Sequence, residues 1–214
     1  MKTIFLSTLW SFFFVDSPIT SIDFWQHSKD PLVHKYAFSK EKGLNGELLL
    51  YLTNNSKSEF DKLALINALG WDYNLTKNNS AVFLEHIGGL NKATDFEKTM
   101  YSYFLALKDY KNVREPYKIL NQVEHNSQSV FLIKTIIYSQ KHFLDFNPDS
   151  IWNLFKEIDD LTKFDSSQLE NAFESCKKYL IFYKQNWIIN FPNQLLLEGF
   201  NVKNLCTYTR TTTI

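Results

Sequence analysis

The sequence predicts an all-α protein, and three observations lead to this fold class. The 214 residues include only six glycines and five prolines, too few for a turn-dense β-barrel. Motifs typical of helix starts recur at residues 58, 94, 127 and 167, that is 36, 33 and 40 residues apart. Apolar residues after each start repeat with helical period. We therefore expect antiparallel helix hairpins in one domain over residues 21–186, with an irregular α-helical bundle as the alternative.

The first twenty residues resemble an export signal. Lys2 precedes a mostly apolar stretch from Ile4 to Val15, which is too short to span a bilayer. Small or polar residues follow this stretch, without an Ala-x-Ala cleavage site. We predict a signal peptide over residues 1–20 and a periplasmic or secreted mature chain with no stable membrane span. The alternative is a buried N-terminal helix or strand in a cytoplasmic protein.

A helix is expected to begin at Asp30-Pro31, since an acid at the N-cap and proline in the first turn are a typical helix start. This helix is expected to run to residue 42, and a second one to cover residues 44–52. At the other end, residues 187–214 are apolar and then rich in threonine. This tail is predicted to be a cap on the last repeat, a short strand or disordered.

Four capping motifs mark the repeated helices. In a capping box, a Ser or Thr hydroxyl accepts the N3 backbone N–H while an acid at N3 reaches back to the N-cap. The motifs are Ser58 with Asp61, Thr94 with Glu97, Ser167 with Glu170, and Ser127 without an acid. Gly70 is expected to end the helix that begins at Ser58, because this position favours a positive φ, and Trp71 to pack back against that helix.

Each of the first three starts leads to a second amphipathic stretch with apolar residues at i, i+4 and i+7. These stretches are Phe83, Ile87 and Leu90; Val113, Tyr117 and Leu120; and Ile151, Phe155 and Ile158. The recurrence predicts the second helix of each hairpin.

The segment DYKNVREPYKIL, residues 109–120, with the helix before it resembles a tetratricopeptide repeat, best over residues 95–124. Positions that match the family's pattern are Met100, Phe104, Tyr110 and Tyr117. Positions that depart from it, where the family has small residues or a final proline, are Tyr101, Val113, Leu120 and His125. The resemblance implies a superhelical stack whose concave face binds peptides or proteins.

No pattern predicts a catalytic residue, a cofactor site or a metal site. The five histidines are not arranged as in H-E-x-x-H, and phosphate-loop and dinucleotide motifs are missing from the sequence. The nearest catalytic candidates are Glu85-His86 and Glu124-His125. Adjacent residues on a helix point in different directions, so neither pair is expected to work together.

The number of cysteines and the balance of charges argue against a zinc site, a disulfide framework and nucleic-acid binding. Cys176 and Cys206 are too few for a zinc site or a disulfide framework, although a single disulfide between them is left open. Cys176 is expected to be a small buried residue. With 23 basic and 23 acidic residues and no basic run, nucleic-acid binding is not expected. The acidic residues between 157 and 165 are interpreted as solvated surface.

Together these observations favour a non-catalytic, exported interaction module that binds a protein or peptide. A small-ligand binder or enzyme on a helical bundle is the first alternative, and would need a pocket with convergent polar groups. An inhibitor or regulatory partner of a neighbouring gene product is the second, and would act through one exposed patch.

Overall fold

The computed structural model describes residues 17–70, 78–145 and 147–197, with side chains up to residue 182. Every regular element in these ranges is a helix, which confirms the all-α class. In chain order the elements are α1 (Pro18–Ser21), a 3-10 helix (Phe24–His27), α2 (Pro31–Ala37), α3 (Gly46–Thr53), α4 (Glu59–Leu69), α5 (Asn79–His86), α6 (Asp95–Lys108), α7 (Arg114–Leu120), α8 (Gln128–Leu144), α9 (Pro148–Asp159) and α10 (Ser167–Leu197).

The predicted helix starts are confirmed, with a shift of one residue at the last. The hydroxyls of Ser58, Thr94 and Ser127 each accept a backbone N–H three residues later, and Thr94 forms a complete capping box with Glu97. At α10 the cap is Ser166 instead of Ser167, since the Ser166 hydroxyl accepts the backbone N–H of Leu169. Two adjacent serines offer the same capping chemistry, and the sequence does not distinguish them.

Helix α2 is shorter than predicted. It begins after the Asp30 cap as expected but ends at Ala37 instead of continuing to residue 42. Residues 39–43 contain no apolar side chain that could pack on the core, and the Ser39 hydroxyl bonds to the backbone of Glu41. Such local bonds compete with the helix. Helix α3 begins two residues later than predicted, at Gly46, after an Asn45 cap.

Gly70 has the predicted positive φ, 71°, at the end of α4. Trp71, predicted to pack back against this helix, lies outside the described residues.

We expect Gly70→Ala to lower the free energy of unfolding by about 1 to 3 kcal/mol, because a side chain strains this backbone conformation. Gly46→Ala is the matched control. No atom lies within 4 Å of an added Cβ there, so this helical substitution should be neutral or stabilising in the same urea titration.

The helices pack mainly against their neighbours in the chain. Helix α6 packs against α7, and α8 packs against α9. Helix α8 also contacts α6, α7 and α10, while α4 contacts α2 and α6. Buried apolar residues from all these helices form one core.

Residues 17–28, called the N-terminal segment below, lie inside this arrangement. Helix α1 contacts α6 and α8, and the 3-10 helix contacts α4 and α10. Ser17, Pro18 and Ile19 are buried and Phe24 is fully buried, so residues that the sequence assigned to a signal peptide over 1–20 belong to the core. Residues 1–16 lie outside the described residues, and export remains a prediction.

At the other end, helical backbone continues through the predicted boundary at residue 186 as far as Leu197. Residues 198–214 lie outside the described residues. In the described part of the chain, no helix is both long and apolar enough to cross a membrane.

Candidate functional site

A groove of about 380 Å³ lies beside α8. Its apolar lining comes from α8, α9 and the turn after α9, and its polar lining from the turn before α8 and from both helices. The lining residues are His125, Asn126, Ser127, Gln128, Val130, Phe131, Lys134, Tyr138, Leu154, Glu157 and Leu161.

The helical period of α8 places this lining on one side of the helix. Phe131, Lys134 and Tyr138 follow one another at intervals of three and four residues and are half-buried. The residues between them, including Ile133 and Ile136, are buried in the core. Helix α8 is therefore apolar on its core side and mixed on the side that borders the groove.

Hydrogen bonds fix the edges of the groove. The ammonium of Lys134 donates to the carbonyl of Val123 at 2.9 Å. The Gln128 amide donates to the Lys163 carbonyl at 2.8 Å and accepts the backbone N–H of Asp165 at 2.9 Å. These bonds tie the turns on both sides to α8, so the groove exists before any ligand binds and requires little ordering on binding.

Tyr138 lies at one end of the groove lining and contacts Tyr117 of α7. The Tyr138 hydroxyl donates to the side-chain oxygen of Asn121 at 2.6 Å, and its ring lies 4.7 Å from that of Tyr117 between centroids. Burial, with a smaller contribution from Tyr117, raises the pKa of Tyr138 to about 12, so this hydroxyl is a neutral hydrogen-bonding group.

Two acidic residues from neighbouring helix starts hold the turn at the opposite end. In the first turn of α4, the Glu59 carboxylate accepts one hydrogen bond from the Ser127 hydroxyl and lies 2.8 Å from Nε2 of His125. In the first turn of α6, Asp95 accepts the backbone N–H groups of Glu124 and His125 at 2.9 and 3.2 Å. The starts of α4, α6 and α8 therefore meet at this end of the groove.

Asp95 should make the turn sensitive to acid. The Lys98 ammonium first, and the two backbone N–H groups after it, hold the pKa of Asp95 below its usual 3.8. A carboxyl group whose pKa is lower in the folded than in the unfolded state stabilises the fold at pH values above its unfolded-state pKa. This stabilisation is lost as the pH falls through the folded-state pKa. We expect Asp95→Asn to be less stable than wild type at pH 7. The difference should shrink between about pH 5 and pH 2.

Urea titrations across this pH range measure the difference. Asp149→Asn, an exposed acid in the first turn of α9, is the control for losing a charge near a helix start. A wild-type advantage over Asp95→Asn that stays constant down to pH 2 would contradict the assigned role of Asp95.

The structure does not join the two Glu-His pairs named from the sequence into a catalytic site. Glu85 and His86 are exposed at the end of α5. His125 contacts Glu59 instead of its neighbour Glu124, and no sequence pattern indicates a partner 66 residues away. The Ser127 hydroxyl donates to Glu59 and caps α8, so His125 does not serve as its base.

In the described part of the chain, neither a reactive cysteine nor a cluster of metal ligands is found. Cys176 is fully buried and unpaired, and burial raises its thiol pKa to about 12, so it is not a thiolate nucleophile at neutral pH. Cys206, its suggested disulfide partner, lies outside the described residues. Among those residues, no three His, Cys, Asp or Glu side chains converge in a way that could hold a metal ion.

The chain was compared with models of protein families, with curated proteins and with solved structures, and none of the three comparisons finds a match.

Proposed function

We propose that this protein is a non-catalytic interaction module that binds a peptide segment of another protein in the groove beside α8. The observation that carries the proposal is the groove itself. It combines an apolar lining, provided by Phe131, Leu154 and Leu161, with a polar rim whose edges are already fixed by hydrogen bonds. Peptide sites commonly have an apolar pocket for one side chain and polar groups that orient the backbone.

We further propose that the hairpins stack as tetratricopeptide-like repeats. The contact of α8 with both α6 and α10, in addition to its own partner α9, supports this arrangement. In such a stack each hairpin covers the apolar side of the next.

Charge at the groove favours a basic partner. The Lys134 ammonium is already bonded to a carbonyl, and His125 is held by Glu59. The exposed carboxylate of Glu157, in contrast, has no hydrogen bond or ion pair with the described residues. The proposed ligand is therefore a peptide with a large apolar side chain close to a lysine or arginine, because opposite charges at a rim favour the correct partner.

Selection from a displayed library of random peptides tests the proposal. We expect enrichment of an apolar residue next to a basic one. Leu161→Arg should remove binding of the selected peptides, because it places a large cation in the groove. Ile119→Arg, at a half-buried position outside the groove lining, is the matched control and should retain binding. Selected peptides that bind Leu161→Arg as well as wild type would show that the groove is not the site.

The charge requirement has its own test. Glu157→Gln should weaken the binding of the selected peptides by about threefold to fivefold, the size expected for one exposed ion pair. Glu115→Gln removes an exposed carboxylate from α7 and should leave the affinity unchanged. The Glu157 effect should diminish at 1 M salt, because salt screens exposed charges.

Export is proposed with the interaction function. Mass spectrometry of the protein from its native source would detect removal of the N-terminal residues. Because Ser17, Pro18 and Ile19 lie in the core, we expect any cleavage to precede Ser17.

A further inference from the structure

We infer that the inner face formed by α4, α6, α8 and α10 is a second peptide-binding surface, and that its ligand is the chain's own N-terminal segment, residues 17–28. This inference is independent of the groove beside α8. It rests on how the segment is held: side chains from separate helices contact a short stretch of chain that consists of two single-turn helices, α1 and the 3-10 helix.

Asn67 of α4 makes the central contact. Its side-chain oxygen accepts the backbone N–H of Trp25 at 2.9 Å, and its amide nitrogen donates to the carbonyl of Ile22 at 3.1 Å. One side chain thus recognises both a donor and an acceptor of the segment's backbone. The same nitrogen donates to the Tyr103 hydroxyl of α6 at 2.7 Å, which fixes the orientation of the amide.

Polar contacts from three helices surround this centre. The Ser17 hydroxyl donates to the side-chain oxygen of Gln140 in α8. His27 contacts the hydroxyl of Ser175 in α10 at 3.1 Å, and the Ser28 hydroxyl donates to Asp61 in α4 at 2.6 Å. Each end of the segment is therefore attached by side chains that are distant in sequence.

Apolar side chains of the segment supply the anchors. Ile19 and Ile22 are buried, and the ring of Phe24 is fully buried with its centroid 5.9 Å from that of Phe60 and 6.1 Å from that of Tyr103. Buried apolar anchors combined with hydrogen bonds to the backbone are common features of peptide-binding sites.

Packing beside the segment is incomplete at one end. A gap too narrow for a water molecule separates Pro18 from Ser139, Phe143 and Ile151. The Ser139 hydroxyl is buried and has no hydrogen-bond partner among the described residues. Such a group is an exception, because most buried side-chain polar atoms have a hydrogen-bond partner.

Cleavage of the connection in the folded, full-length chain tests the inference. The site of a sequence-specific protease is inserted after Lys29, which is exposed between the segment and α2. After cleavage, we expect the helical circular dichroism signal to persist. A fluorescent peptide of residues 17–28, added in excess, should then exchange into the protein with one-to-one stoichiometry. The uncut protein should not take up the peptide, because its own segment fills the site.

Two substitutions make the test specific. A peptide with Ile19→Ala and Phe24→Ala should bind at least about tenfold more weakly, since it lacks both anchors. In the protein, Asn67→Leu should release the peptide at least about tenfold faster, since two hydrogen bonds to its backbone are lost. Leu120→Ala, a buried substitution in α7, is the control: it should lower overall stability without accelerating release.

Two results would overturn the inference. One is loss of the helical signal as soon as the chain is cut, which would make the segment an inseparable part of the core. The other is equal binding of the anchor-free peptide.

Discussion

Phe24→Ala is expected to lower the free energy of unfolding by about 3 to 5 kcal/mol, the range for removing a fully buried aromatic ring. Phe24 has no exposed surface, and its ring lies against Phe60 of α4 and Tyr103 of α6. The substitution therefore leaves a cavity at a point where the N-terminal segment joins two helices. Urea unfolding followed by circular dichroism gives the change.

Phe38→Ala provides the comparison for this experiment. Phe38 contacts the edge of the Trp25 ring but is 80% exposed, so its removal should cost less than about 1 kcal/mol. If the two variants unfold at the same urea concentration, Phe24 is not part of the stabilising core.

Asn67→Leu is expected to lower the free energy of unfolding by about 3 kcal/mol or more, although leucine has the same branching and number of side-chain heavy atoms as asparagine. The substitution removes the only side-chain partner of the Trp25 N–H and of the Ile22 carbonyl among the described residues. The Ile22 carbonyl is then buried, and the Trp25 N–H partly buried, without a hydrogen bond, and a buried group left unpaired costs about 1 to 3 kcal/mol. Thermal and urea unfolding should both record the loss.

Tyr103→Phe measures the contribution of the Tyr103 hydroxyl separately from that of the Asn67 bonds to the segment. It removes one hydrogen bond to Asn67 and leaves both bonds to the segment, so we expect a loss of about 1 kcal/mol. In the double variant the two losses should not be additive, because both substitutions break the same hydrogen bond. Simple additivity would show that Tyr103 does not orient the Asn67 amide.

Local features of the fold were predictable from the sequence because they depend on neighbouring residues. Ser58, Thr94 and Ser127 cap helices as predicted, and Gly70 has a positive φ, since each of these roles involves residues only a few positions apart. The predicted end of α2 at residue 42 was wrong. Helical propensity alone does not take into account that residues 39–43 have no apolar side chain to bury. The tetratricopeptide-like arrangement stays a prediction.

The candidate sites were less predictable, because their parts come from distant positions. The sequence places His125 next to Glu124, but its contact is with Glu59 of α4. No pattern distinguishes Asn67, because a single asparagine within an apolar helix has no characteristic spacing. Its role depends on Ile22 and Trp25, which lie about forty positions earlier. Periodicity describes one helix at a time and carries no information on such pairs.

The attachment of the N-terminal segment also has a consequence for the order in which the protein folds during synthesis. Ser17 contacts Gln140 across 123 positions, and His27 contacts Ser175 across 148. The hairpins need only local contacts and form early, whereas the segment must wait for α8 and α10 to be made. At about 5 to 20 residues per second, this wait is roughly 6 to 30 s. Residues 17–28 are thus synthesised before α8 and α10 but dock only after them, and the apolar side chains of Ile19, Ile22 and Phe24 remain exposed throughout that interval.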